Sequence, residues 1–274
     1  MNYIQYTFTV SPQEPGSDIL IALLADFGFE SFTQNETNLD AYIQDELENE
    51  SLVKDLNFED FTFSYTRTEI PKTNWNEEWE KNFSPVYVDE LVCIRAHFHD
   101  KAEYVKHDIV ITPKMSFGTG HHDTTWLMSK TMFSLDFKNK SVLDMGCGTG
   151  ILAILAKQLG ASKLLGIDID AWSIENSIEN AQINNCPEIE FKQGDANLLP
   201  KQETFDIILA NINKNILKHD LPNYFLCLKK DGHLLLSGFF QTDVEELKNL
   251  AKAIGFEFIE SYQKNEWAVI KLKK

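Results

Sequence analysis

The sequence predicts an α/β fold: a doubly wound, mostly parallel sheet with an antiparallel C-terminal edge hairpin, preceded by a small α+β unit. Three observations carry this. From residue 140 onward, apolar runs of five or six residues alternate with helical patterns, as strands buried on both faces do. The last two strand-like runs flank a short polar turn and read as a hairpin. The first seventy residues carry a different pattern, strand and helix signals in the order β-α-β-β-α-β, which is the ferredoxin-like split unit.

The elements can be justified in order. Tyr3 to Val10 is rich in aromatic and β-branched residues and reads as a strand. Pro15 to Phe27 places Ile19, Leu20, Leu23, Leu24 and Phe27 at helical spacing. Ser31 to Gln44 turns through Asn35-Glu36-Thr37-Asn38 as a hairpin. Glu46 to Leu56 reads as a helix and Phe61 to Ile70 as a strand. In residues 71–88, Trp75 and Trp79 stand four apart in a polar segment, which predicts a linker helix docked by one face. Leu91 to His97 and Asp108 to Thr112 read as strands, and Thr124 to Met132 as a helix with Asp123 as a candidate cap. Then come strand Ser141 to Met145, a helix through Leu159, strand Lys163 to Asp168, and helix Ala171 to Asn185 with Ile174, Ile178 and Ala181 on one face. Strands Ile189 to Gln193, Phe205 to Ala210 and His233 to Ser237 follow, then helix Asp243 to Ala253 and the hairpin Phe256–Tyr262 and Trp267–Leu272. The domains expected are 1–70, a recognition unit; 71–88, a linker; and 89–274, a unit that carries the chemistry.

Composition bounds the function. The 274 residues have 43% hydrophobic content and five tryptophans, so the chain is globular. It holds no run of 18 apolar residues, which argues against a membrane span, and its start has no signal-peptide pattern. The four cysteines form no CxxC pair, which fits a reducing cytoplasm. Net charge is −17, and −12 of it falls in residues 1–70, where fourteen acids face only Lys54 and Arg67. Such a unit repels nucleic acid and attracts a basic partner.

The motifs gather where strands end. In a doubly wound sheet the ligand lies beyond the carboxyl ends of the strands. Asp144, Gly146, Gly148 and Gly150 mark the end of the first of them; the glycines suit close approach of backbone to a ligand. The spacing is GxGxG, and Ile151 stands where a dinucleotide fingerprint needs its third glycine, so NAD is disfavoured. Asp168 lies twenty residues after Gly148, at a strand end, suited to accept from ribose hydroxyls. Its neighbour Asp170 suits a helix cap, and Asp195, ending the third strand, can accept from an adenine amine. Together these residues describe an S-adenosylmethionine pocket of the class I methyltransferase type. In "SFGTGHHDTT", 116–125, His121 and His122 are adjacent and do not easily converge on one ion, so no metal is expected. Asn211-Ile212-Asn213 closes the strand Phe205 to Ala210 without the proline and aromatic of an Asn-Pro-Pro-Tyr motif, which disfavours an adenine or glutamine substrate. A neutral Asn211 accepts a hydrogen bond from an uncharged amine without trapping an ammonium.

The segments "NWNEEWEKNFSP", "SFGTGHHDTT", "VLDMGCGTGILAI", "GIDIDAWSIENSIENA", "DIILANI" and "LLLSGF" resemble the PrmA family, methyltransferases of ribosomal protein L-eleven of the large subunit. The resemblance implies a class I S-adenosylmethionine-dependent methyltransferase domain at 89–274 and an N-terminal domain that recognises a basic ribosomal protein. It implies that Thr125, Gly146, Asp168 and Asn211 contact S-adenosylmethionine, that Phe117 lines the methyl-transfer site, and that the 116–125 segment closes over the methionine end of the cofactor. Asp123 departs from the pattern, since many relatives carry proline there. The competing expectations are a methyltransferase of another protein, a small-molecule or a nucleic-acid amine, and a non-enzymatic S-adenosylmethionine-binding module.

Overall fold

A computed structural model describes residues 3–35, 37–70, 83–114 and 117–274. Its contacts divide the chain into two compact units, Met1–Asn82 and Phe83–Lys274. Trp75 and Trp79 lie outside the described residues.

The first unit runs β1 (Tyr3–Ser11), α1 (Gln13–Asp26), β2 (Ser31–Gln34), β3 (Leu39–Gln44), α2 (Glu50–Lys54) and β4 (Thr62–Ile70). The sheet order is β2-β3-β1-β4, with every pair antiparallel, the arrangement expected of a β-α-β-β-α-β chain. Alternate residues of β1, Ile4, Tyr6 and Phe8, point into one core with Leu20, Leu24, Leu39 and Ile43. The hairpin turn is held by Asn35, whose Oδ1 accepts from the Thr37 and Asn38 amides. The helix expected over 46–56 is shorter. Asp45–Leu47 is one 3₁₀ turn, and α2 is five residues capped by the Asn49 side chain. Arg67 grips Glu48 with two nitrogens, at 2.7 and 3.1 Å, and Lys54 pairs with Glu50. The two bases of residues 1–70 are therefore already matched to acids.

The second unit opens with a three-stranded sheet, β5 (Val86–Val88), β6 (Val92–Arg95) and β7 (His107–Val110). This corrects the expected linker helix at its end, because residues 86–88 pair with β6. Then come α3 (Asp123–Met132), β8 (Ser141–Met145), α4 (Ile151–Gln158), β9 (Lys163–Asp168), α5 (Ala171–Ile183), β10 (Glu190–Gln193), β11 (Phe205–Asn211), α6 (Lys214–Cys227), β12 (Leu228–Phe240), α7 (Val244–Ile254), β13 (Glu257–Lys264) and β14 (Trp267–Lys273). The seven-stranded order is β10-β9-β8-β11-β12-β14-β13. The strands from β10 to β12 are parallel, and β14 runs against both its neighbours. The C-terminal hairpin is present, with its second strand inserted between β12 and β13.

Strand residues split between two cores, one on each face. Val142, Ile207 and Leu209 join the core under α3 and α4, while Leu143, Ile208 and Ala210 join the one under α6 and α7. That two-sided burial is why these strands are apolar without alternation. Two readings need correction. Helix α6 was not anticipated. The inner face of α5 is not the Ile174–Ile178 stripe, since Ile178 is exposed while Ser173, Asn176, Ser177 and Asn180 are buried. Asparagines spaced one turn apart pair there with backbone. Asn180 accepts from the Thr112 amide at 2.8 Å, Asn184 accepts from Val110 at 2.9 Å, and Asn176 donates to the Thr112 carbonyl. Buried backbone groups need partners, and amide side chains supply them better than isoleucine can. Among the described residues no helix is long and apolar enough to cross a membrane.

Candidate active site

Strand order reverses between β8 and β11, and a cavity of about 560 Å³ lies at the carboxyl ends of the strands there. Gly146 and Gly148 line it from β8, Asp168 and Asp170 from β9, Asp195 from β10, Asn211 and Asn213 from β11, and Phe117, His122, Trp267 and Asp220 from the surrounding elements. Of the residues expected from sequence, Phe117, Gly146, Gly148, Asp168, Asp195 and Asn211 share this one wall.

Each side chain has a traceable cause. Asp168 Oδ2 accepts from the Gly148 amide at 2.9 Å and Oδ1 from the Asp170 amide at 3.0 Å. One lone pair on each oxygen remains for a ligand hydroxyl. Asp170 caps α5 through the Trp172 amide, as read from sequence. Asp195 caps a 3₁₀ turn at the Asn197 amide and also accepts from the Asn197 side chain. Asn211 is buried at the end of β11, and its Oδ1 has no hydrogen-bond partner among the described residues. A buried acceptor left unpaired is costly, and a donor entering the cavity removes that cost.

The glycines answer to the protein's own chain. Gly146 has φ +72, and a Cβ there would stand 2.1 Å from Ile212 Cγ2. Gly148 has φ +53, and a Cβ would stand 2.2 Å from the Phe117 carbonyl oxygen. Phe117 and Gly118 lie across the glycine loop because the Thr149 amide and hydroxyl donate to their carbonyls at 2.9 and 2.7 Å. The described part of the 116–125 segment is thus a strap laced to the loop it covers.

The two histidines diverge. His121 Nε2 faces the Ser84 carbonyl at 3.0 Å. His122 Nδ1 accepts from the Thr124 amide and caps α3, while its ring meets Trp267 edge-on at 4.5 Å and Phe117 at 5.3 Å. His122 therefore takes the capping place expected of Asp123. Asp123 instead binds Lys264 at 2.5 Å and Asn265 at 2.7 Å, and the Lys264 ammonium holds its carboxyl below the usual range. No group of three His, Cys, Asp or Glu side chains among the described residues is placed to hold a metal.

The cavity wall carries four carboxylates and, among the described residues, no lysine or arginine. That suits a cationic ligand and opposes a phosphate-bearing one. The family model described as ribosomal protein L11 methyltransferase (PrmA) matches residues 22–274. The chain is 43% identical to the ribosomal protein L11 methyltransferase of Phocaeicola vulgatus and 44% identical to that of Bacteroides thetaiotaomicron, covering 99% of each chain in both pairs.

The chain belongs to the ribosomal protein L11 methyltransferase family.

The crystal structure of the ribosomal protein L11 methylase from Lactobacillus delbrueckii subsp. bulgaricus matches with a TM-score of 0.63 at 25% identity, over 69% of this chain and 98% of that one. The doubly wound unit is accordingly the class I S-adenosylmethionine-dependent methyltransferase fold. Family membership implies S-adenosylmethionine, and the cavity's residues fit it. Asp168 has acceptor capacity for two hydroxyls, the carboxylates suit a sulfonium and an ammonium, and Asn211 offers an unused acceptor.

Two residues of the L11 methyltransferase pattern stand apart from the cavity wall. Thr125 is fully buried, its hydroxyl has no partner among the described residues, and it is Thr124 that lines the cavity. Asp144 is buried beneath the glycine loop, with Oδ2 accepting from the Ala153 amide at 3.1 Å and Oδ1 without a partner among the described residues. Burial, with the Asp168 charge adding to it, pushes its carboxyl up to about 7. Sequence reasoning missed Trp267 and Asp220. The signal for Asp220 was the buried spacing Leu217, Asp220, Leu221, Tyr224, Cys227, which places a carboxylate on the inner face of a helix.

Proposed function

We propose that the chain transfers methyl groups from S-adenosylmethionine to lysine side-chain and α-amino nitrogens of ribosomal protein L11, in the cytoplasm, with residues 1–70 holding the substrate. The observation that carries the amine assignment is Asn211, a buried neutral acceptor with no partner among the described residues, on a cavity wall whose described lining holds no lysine or arginine.

When bound, S-adenosylmethionine supplies a methyl carbon on a sulfonium, a good leaving group for in-line attack. The chain's own residues do the rest. Asp168 accepts from the ribose hydroxyls and Asp195 from the adenine amine. Gly146 and Gly148 bring backbone against the cofactor. Phe117, His122 and Trp267 form an aromatic wall that excludes water from the transfer point. Asn211 Oδ1 accepts an N–H of the neutral amine and aims its lone pair. The amine must first lose a proton. For a lysine of ordinary pKa near 10.4 that costs about 4.6 kcal/mol at pH 7, and desolvation beside a cation lowers the cost.

The acidic residues 1–70 support recognition of a basic protein, since their two bases are already paired and most of their described acids face solvent. Incubation with methyl-labelled S-adenosylmethionine and ribosomal proteins from a methylation-deficient strain, followed by mass spectrometric mapping, tests the proposal. Label on lysine Nζ and α-nitrogen of L11 supports it. Label on another protein, on RNA, or on nothing contradicts it.

A further inference from the structure

Four aspartates line the cavity, and three are tied to backbone. Asp168 accepts from the Gly148 and Asp170 amides, Asp170 from the Trp172 amide and Asp195 from the Asn197 amide. Asp220 is different. It sits in the middle of α6, its side chain is 7% exposed, and it accepts from no backbone amide among the described residues. It meets the imidazole of His219, Nδ1 to Oδ1 at 2.8 Å, an imidazole that is 84% exposed, and the phenol of Tyr224 one turn on. Aspartate is a poor helix former and is rarely buried without a paired cation or a set of donors. The nearby lysines of α6 are engaged elsewhere, Lys214 with Asp243 and Lys218 with Glu246. A residue that breaks these rules on a cavity wall marks a functional position.

We propose that Asp220 is the catalytic base that takes the proton from the substrate ammonium, and that His219 passes it to solvent. The inference rests on the methyl-transfer reading above. An N–H bond of the ammonium breaks and its electron pair stays on nitrogen. The proton forms an O–H bond on Asp220, then moves to the His219 imidazole and on to water. The freed pair forms the N–C bond as the methyl leaves sulfur, which keeps the S–C pair and becomes a neutral thioether. The product is a methylammonium, and one proton is released per turnover. Asn211 aims the amine and Asp220 removes its proton, so the two side chains divide the work. The titratable groups around Asp220 are His219 and Tyr224 on its own helix, and Asp168, Asp170, Asp195 and His122 across the cavity. The charge of Asp220 adds to burial in pushing the Tyr224 phenol well above its usual value, so that phenol stays protonated and does not compete for the role.

The test compares wild type with Asp220→Asn, Asp220→Glu and His219→Ala, using full-length chain and L11. Calorimetry should give S-adenosylmethionine affinity within about twofold of wild type for Asp220→Glu and His219→Ala, which keep the cavity's charge, and saturating cofactor is used for Asp220→Asn. At pH 7, kcat of Asp220→Asn should fall by at least about tenfold with little change in KM for L11. Its rate should climb about tenfold per pH unit toward pH 9, where the amine deprotonates unaided, while the wild-type profile stays flatter. Asp220→Glu should recover much of the rate. His219 is at the surface, so His219→Ala keeps the fold, and its slower turnover at pH 7 should be relieved by added imidazole. In cofactor-free protein, the His219 ring nitrogen chemical shifts should change in Asp220→Asn, because the Nδ1 to Oδ1 hydrogen bond loses its carboxylate. Unchanged His219 ring shifts, a parallel pH profile in Asp220→Asn, or a loss that neither glutamate nor high pH relieves overturns the proposal. A wild-type chain inactive on L11 overturns the substrate reading instead, and the ring-shift comparison then decides the Asp220–His219 couple by itself.

Discussion

Asp144→Asn removes a buried charge that wild-type protein carries at a cost. A folded-state pKa of about 7 against an ordinary value of 3.8 corresponds to about 4 kcal/mol at 1.36 kcal/mol per pH unit. Because the folded value is raised, the stability from Asp144 is full below about pH 4, where folded and unfolded chains both hold the proton. It is lost progressively as pH rises through about 7. Asparagine keeps an oxygen to accept from the Ala153 amide and has no charge to bury. The stability of Asp144→Asn relative to wild type should therefore grow by roughly 4 kcal/mol between pH 4 and pH 8. Urea-dependent deuterium exchange in peptides from β8 and α4 measures this within the second unit, independently of the first. Parallel stability profiles for the two proteins would refute the reasoning, and so would a divergence of opposite sign.

Other outcomes follow from the site. Asp168→Ala should fold normally and lose S-adenosylmethionine affinity by one to two powers of ten in calorimetric titration, since hydrogen bonds to a charged group are each worth about 1.5–3 kcal/mol. Gly148→Ala places a Cβ against the Phe117 carbonyl in left-handed backbone, so exchange protection over residues 117–126 should drop and cofactor affinity should fall by about tenfold. Deleting residues 1–70 should leave cofactor affinity unchanged, because the cavity's lining residues all belong to the second unit, and should sharply reduce methylation of L11. Raising salt should weaken L11 binding to the intact chain, as measured by fluorescence anisotropy, because exposed charges are screened.

The sequence made the sheet and its strand ends legible because burial on both faces leaves no choice but continuous apolar runs such as FDIILA. The cavity aspartates at positions 168 and 195, and Asn211, were legible for the same reason, since a strand end fixes where its last polar residue points. What stayed hidden involved polar residues doing apolar work. Helix α6 carries Pro222 inside it and Asp220 on its inner face, which mask the helical spacing that Leu217, Leu221, Tyr224 and Cys227 keep. The inner face of α5 is asparagine because it pairs with the backbone beyond β7, a demand set by residues about seventy positions away. The glycine motif was read for its ligand, yet Gly146 and Gly148 first accommodate Ile212 and the Phe117 strap, a tertiary contact that spacing cannot show. Capping by His122 in place of Asp123 was hidden likewise, because Lys264 and Asn265 draw the aspartate away.

The central claim is that an amine of L11 receives its methyl in this cavity, aimed by Asn211. Single-turnover transfer from saturating labelled S-adenosylmethionine to L11, with Asn211→Ala compared to wild type, tests it most directly. Expected is a mutant that binds the cofactor within a few-fold of wild type by calorimetry on the same samples, yet transfers the methyl group at least about tenfold more slowly, a barrier increase of about 1.4 kcal/mol or more. A saturated Asn211→Ala enzyme that transfers at the wild-type rate contradicts the claim and leaves Asn211 a structural strand end.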